Sequence, residues 1–161
     1  MTLAAPFALS PPRATGLLRA AEVLGEAPGR LEGDLVLSHE ERHLRRRLLR
    51  LSDGTEVLAD LPEPARLEEG DRLLLEDGRR VRVRAASELL YVVTAGRGAP
   101  LTELAWHLGN RHFAAQIEAK RLVIPRDPVI KAMLEGLGAQ VAPAVEPFRP
   151  VQGAYHGHAH G

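Results

Sequence analysis

The sequence predicts an α+β protein of two domains in tandem: a small antiparallel β domain over residues 1–86, and a β-α-β-β-α-β domain over residues 87–148. A flexible histidine-bearing tail over residues 149–161 follows. Three observations lead to this reading. Turn dipeptides crowd the first half, longer periodic stretches fill the second, and the closing residues carry too little apolar content to pack. A chain of 161 residues accommodates two small cores of this kind.

In the first half, apolar stretches are punctuated by Leu51-Ser52-Asp53-Gly54, Glu69-Gly70-Asp71 and Glu76-Asp77-Gly78. Asp-Gly between apolar runs signals a hairpin, because glycine accepts the positive φ of a tight turn. Leu73-Leu74-Leu75 and Val81-Arg82-Val83-Arg84 flank the last of these as paired strands, the second alternating apolar and charged residues so that one face meets solvent. The texture changes between residues 85 and 88. Residues 89–94 then read as a strand, 101–108 as a helix, 114–118 and 122–124 as strands, 128–137 as a second helix and 141–145 as a last strand. Asp127 is a suitable N-cap, Pro128 suits the first helical position, and Gly138 lies just beyond the end. This order is the ferredoxin-like split motif, which covers one face of a four-stranded antiparallel sheet with two helices. From Phe148 onward, Pro147, Pro150 and then glycine and histidine predict a mobile segment.

Composition narrows the function. Lys plus Arg and Asp plus Glu number 21 each, so no net field draws the chain to nucleic acid or to an acidic membrane. The lack of cysteine excludes thiolate catalysis and sulfur-rich metal sites, leaving imidazole, carboxylate and backbone donors for any ion. No apolar run is long enough to span a bilayer, and residues 1–12 lack the pattern of a secretory signal, which makes the cytoplasm the expected compartment.

Four constellations carry possible chemistry. The chain closes on Tyr155-His156-Gly157-His158-Ala159-His160-Gly161, three imidazoles spaced by residues of little bulk that can turn onto one ion. His39-Glu40-Glu41-Arg42-His43 matches the H-E-x-x-H pattern of zinc peptidases. That mechanism needs a buried helix and a third ligand, whereas this segment is charged and runs into Arg45, Arg46 and Arg47. A surface turn led by Ser38, with Glu41 completing a capping box, is the preferred reading. The arginines at 42, 45, 46, 47 and 50 lack interleaved aromatics and lie among Glu40, Glu41 and Asp53, which favours a solvated strand face or a protein-docking surface over nucleic acid. Finally, His107-Leu108-Gly109-Asn110-Arg111-His112 ends the first helix of the second half. Gly109 and Asn110 tolerate left-handed backbone angles and are expected to stop that helix, leaving His112 on the exit loop within reach of a ligand. His107 reads as a structural neighbour.

The run from Trp106 to His112, followed by Gln116-Ile117, resembles the signature segment of the UreE family, the nickel metallochaperones of urease maturation. Gly153-Ala154-Tyr155 before a histidine tail resembles that family's ending, and the resemblance extends from about Gly16 to Gly161. It implies a first domain similar to the peptide-binding domains of J-protein heat-shock co-chaperones and a second like those of copper chaperones without their cysteines. It also implies a homodimer in which the two copies of His112 share one Ni(II), helped by His156, His158 or His160, with His107, Gly109, Asn110 and Arg111 shaping the loop. The implied partners are the urease accessory GTPase and the urease apoprotein complex, with no catalysis by the chain itself. Imidazole donors also suit Zn(II) and Cu(II), so the choice of nickel comes from the resemblance. Where many members carry a further histidine pair, this chain has Arg126-Asp127-Pro128, and any secondary site built there is expected to be weak or absent. The rival readings are a peptidase using His39, Glu40 and His43, and a metal store built on the tail.

Overall fold

In a computed structural model, residues 10–23 and 31–152 are described, and the chain divides after Ala85 into two compact units. The first unit contains β1 (Arg13–Leu18), the short α1 (Ala20–Val23), β2 (Leu31–Leu37), β3 (His43–Arg50), β4 (Glu56–Arg66), β5 (Arg72–Leu75) and β6 (Arg80–Ala85). Its strands form one sheet in the order β2-β6-β5-β1-β4-β3. The Asp-Gly turns close its two hairpins: Gly54 (φ +90°) donates its N–H to the Leu51 carbonyl, and Gly78 (φ +88°) donates to that of Leu75. Val81 and Val83 are fully buried while Arg82 and Arg84 face outward, as their alternation requires. They join Leu35, Leu73, Val57 and Ala59 in one core.

The sheet is not antiparallel throughout. β1 runs parallel to β4 and β2 parallel to β6, so the antiparallel domain expected from the sequence is corrected to a mixed sheet. Turn chemistry marks only strands that are neighbours in sequence, and both parallel pairs join strands far apart in the chain. β4 also passes through Pro62 and Pro64, residues that argue against a strand; it tolerates them where its register with β3 breaks, between the Leu44–Ala65 and Arg46–Asp60 pairs. The outer arginines are neutralised locally. Arg82 grips Asp34 through two hydrogen bonds (2.7 and 3.1 Å), and Arg13 bridges Asp60 and Glu76. These guanidinium contacts hold the Asp34 and Asp60 carboxyls below their ordinary values. Arg50 likewise pairs with Glu56, and Arg45, Arg46 and Arg47 of the same strand are exposed, which makes β3 a solvated face.

The second unit contains β7 (Ser87–Thr94), α2 (Leu101–Asn110), β8 (Gln116–Ile117), β9 (Leu122–Pro125), α3 (Pro128–Gly136) and β10 (Gln140–Pro147). Its sheet has the order β10-β7-β9-β8 with every neighbour antiparallel. The helices bury Leu104 and Leu108, and Ile130 and Leu134, each pair one helical turn apart, against Val93, Leu122 and Ile124. Asp127 caps α3 as expected, its carboxylate accepting from the backbone N–H groups of Val129 (2.9 Å) and Ile130 (3.0 Å). The opposite face of the sheet carries a smaller cluster of Leu90 and Val123 under Phe148. Phe148 is completely buried, so the segment expected to be loose from this residue onward is seated at its start. β8 is shorter than the stretch 114–118 read as a strand, because the Ala115 carbonyl accepts from the Val151 N–H and leaves the ladder with β9.

α3 ends in a pattern that recurs at the candidate site. After the cap residue Leu137, Gly138 has φ +87° and donates to the Glu135 carbonyl, and Ala139 donates to that of Leu134, which is a Schellman motif. A β-carbon on Gly138 would stand 2.7 Å from the backbone of Gly98. Gly138→Ala combines that collision with a left-handed penalty of about 1–2 kcal/mol and is expected to cost at least about 2 kcal/mol in urea unfolding. A loss under half of that would mean that the loop moves aside freely.

Candidate metal site

The H-E-x-x-H segment is not the helix that a zinc peptidase needs. Residues 39–42 are a turn and His43 begins β3, so the two histidines never share a helix face. The Ser38 N–H donates to Glu41 Oε1 (3.0 Å) and the Glu41 N–H to Ser38 Oγ (3.3 Å), the capping box read from the sequence. Hydrogen bonding from the Ser38 backbone also lowers the Glu41 pKa, as expected of a carboxylate that closes the turn. Arg42, between the histidines, is buried with 1% of its surface exposed. It donates from Nε to the Leu67 carbonyl and from a terminal nitrogen to that of Leu37, both at 3.2 Å.

At the end of α2 the sequence reading needs one correction. Gly109 and Asn110 remain inside the helix, Arg111 is its cap, and the left-handed residue is His112 itself, at φ +55°. The His112 N–H donates to the Gly109 carbonyl (3.0 Å) and the Phe113 N–H to that of Leu108 (3.0 Å). This is the Schellman motif of α3, with histidine in the place of Gly138. Among the described residues His112 is the one non-glycine residue with positive φ. Phe113 and Leu108, the residues flanking the motif, pack in the same core and fix the loop on both sides. His112 is thereby exposed at a helix carboxyl end, where outward-pointing carbonyl dipoles favour a cation.

The neighbouring residues take supporting places. His107 meets Trp106 edge to face (ring centroids 5.0 Å apart, 75° between planes), with Nε2 4.0 Å from Glu103 Oε1. Asn110 and Arg111 are exposed, and a β-carbon on Gly109 would touch nothing within 4 Å. His156, His158 and His160 lie outside the described residues. The approach to them is described, however: Arg149 donates its N–H to Gln116 Oε1 (2.8 Å) and Val151 to the Ala115 carbonyl (2.9 Å). The segment therefore descends beside β8 toward the His112 loop. Among the described residues no three His, Cys, Asp or Glu side chains are grouped as a metal site.

Two family models match the chain: the C-terminal domain of the UreE urease accessory protein over residues 88–161, and the N-terminal domain of the same protein over residues 14–86. The chain belongs to the UreE family of urease accessory proteins. Among its relatives is the urease accessory protein UreE of Mesorhizobium japonicum, 60% identical over 146 residues, which cover 91% of this chain and 73% of that protein. UreE of Rhizobium meliloti is 53% identical over 89% of this chain and 94% of its own, and that of Brucella anthropi 52% identical over 92% and 86%. UreE proteins are accessory chaperones and not enzymes, consistent with a place in urease maturation. Within this UreE chain, Arg126 and Asp127 are already engaged. Arg126 donates to the Leu90 and Ala144 carbonyls and lies over the Tyr91 ring, while Asp127 caps α3. Among the described residues no helix is long and apolar enough to cross a membrane.

The sequence reading missed the left-handed angle at His112 and the backbone seating of residues 149–151. A signal for the first existed in the spacing: Phe113 follows Leu108 by five residues and could close the motif, which puts the left-handed position at 112.

Proposed function

We propose that the chain is a Ni(II) metallochaperone that carries its ion between two copies of His112 across a homodimer and delivers it to the urease accessory GTPase and apoprotein complex in the cytoplasm. The observation that carries this reading is the placement of His112: an exposed imidazole held in a left-handed backbone conformation just past the end of α2. A two-fold axis beside His112 uses that residue twice, and His156, His158 or His160 of either chain complete the coordination. Few fixed ligands favour stepwise exchange with a recipient over permanent retention.

Pairing through the second unit is supported by its surface. β7 and α3 start, and β9, β10 and α2 stop, at the same end of the unit, where His112 lies. Leu89 and Val145, direct cross-strand partners there, and Val129 are 63%, 63% and 75% exposed, an apolar group of the kind an interface covers. Trp106 on α2 is also exposed, and Gly109, one helical turn on, leaves room for a close neighbour. The strand order supports the ferredoxin-like reading of this unit. The division into residues 1–86, 87–148 and a tail from 149, and the likeness of the first domain to J-protein peptide-binding domains, complete the proposal.

Nickel titration combined with mass measurement tests it. The single tryptophan, Trp106, lies six residues from His112 and provides a fluorescence readout. One tightly held ion per two chains is expected, with a chain ended after Gly153 binding more weakly but still as a dimer. Several ions per chain, lost entirely on truncation, would establish storage instead.

A further inference from the structure

Residues 148–151 are held against the second sheet by contacts of their own. β10 ends at Pro147, and the next side chain, Phe148, is sealed against Leu90 and Val123 on the sheet face away from the helices. The Arg149 N–H is then received by the Gln116 side chain, and the Val151 N–H by the Ala115 backbone. Gln116 is itself steadied, its Nε2 donating to Glu118 Oε2 at 2.9 Å, with Glu118 held in turn by Arg121. The order of the two contacts, 149 at 116 and 151 at 115, points the chain toward residue 112. Val151 is largely exposed, so its side chain adds little and the contact is made by its N–H.

We infer that Gln116, Phe148 and the Val151 N–H form a clasp that roots the histidine tail beside the His112 loop and so sets the local concentration of tail imidazole there. The inference rests on the nickel-carrier reading and adds positioning residues to it. His156 lies five positions beyond Val151, at most ~18 Å of chain, and Ala115 three beyond His112, at most ~11 Å. Rooted at Val151, the first tail histidine has the contour length to meet an ion on His112. With both backbone contacts broken, Phe148 is the last seated residue and His156 lies eight positions on. Effective concentration falls roughly as the −3/2 power of that length, a loss of about twofold before the lost direction is counted.

The test is the ratio of Ni(II) affinities, by chelator competition, between the full chain and the same chain ended after Gly153. It is measured for wild type, the double variant Gln116→Leu/Val151→Pro, and Val151→Ala. The double variant deletes the Gln116 acceptor and the Val151 N–H and should shrink the ratio by about twofold while leaving its truncated chain equal to the truncated wild type. Val151→Ala keeps the N–H and should keep the ratio. A merely structural role would weaken full and truncated chains alike, and either that result or an unchanged ratio overturns the clasp. A His112→Ala arm separates the two levels: if it binds nickel as wild type does, the carrier reading fails; if it loses binding while the double variant keeps the wild-type ratio, the clasp alone fails.

Discussion

His112→Ala is expected to abolish tight nickel binding while leaving a folded protein. Four-ligand structural zinc sites in small peptides are worth about 10–16 kcal/mol, or roughly 3 kcal/mol per ligand, and each such ligand is worth more than a hundredfold in affinity. A residue used twice at a two-fold axis is lost twice, so the effect is expected to reach about ten-thousandfold per dimer. The backbone makes a second arm decisive. His112 occupies the left-handed position that glycine holds at the end of α3, and an L-residue there costs up to about 1–2 kcal/mol, less for histidine than for a branched residue. Glycine removes that strain and loses somewhat more chain entropy on folding. His112→Gly should therefore be as stable as the wild type or up to about 1 kcal/mol more stable in urea unfolding, and should bind nickel as poorly as His112→Ala. A His112→Gly chain that still holds nickel tightly would remove His112 from the site; one that is clearly less stable than the alanine variant would mean that the imbalance at this position is not backbone strain.

Hairpin turns and helix caps were legible because they depend on residues adjacent in sequence: Gly54, Gly78, Asp127 and Gly138 stand where the local rules put them. The parallel pairings of β1 with β4 and β2 with β6 left no local mark, since they are settled by burial of a shared core among strands distant in the chain. At the site, the residues at 106–112 drew attention through their resemblance, but the helix end was misplaced. Asn110 looks like a terminator by propensity, yet Phe113 and Leu108 share the core, and closing their contact carries the helix past Asn110 and leaves the left-handed angle to His112. Phe148 was misread for a related reason. A single aromatic among prolines offers no periodicity, and its burial is apparent only once Leu90 and Val123 are placed on the same face of the sheet.

The same reasoning makes Arg42 the position on which the first unit depends most among the charged residues of its peptidase-like motif. Its side chain is buried, and its guanidinium is received by the Leu37 and Leu67 carbonyls. Its backbone is engaged on both sides: its N–H donates to the Ser38 carbonyl (3.0 Å), and its own carbonyl accepts from the Leu67 N–H (2.7 Å). Arg42→Ala keeps the backbone bonds but strips two buried carbonyls of a charged donor and opens a cavity, for an expected loss of about 3–5 kcal/mol in urea unfolding. Lysine reaches with one charge centre in place of a planar fork and should recover only part of that loss. Glu40→Gln and His43→Ala, at exposed positions of the same motif, should stay within about 0.5 kcal/mol of wild type and leave nickel binding unchanged. A metal-activated hydrolase would show the reverse ranking, with the glutamate and histidines indispensable and the residue between them replaceable. Should Arg42→Ala unfold within 1 kcal/mol of wild type, the guanidinium is not what joins the Leu37 and Leu67 segments. The fold thus uses this segment for a buried cation that ties two strand ends together, and the pattern of two histidines with an intervening glutamate arises from a capped turn leading into β3.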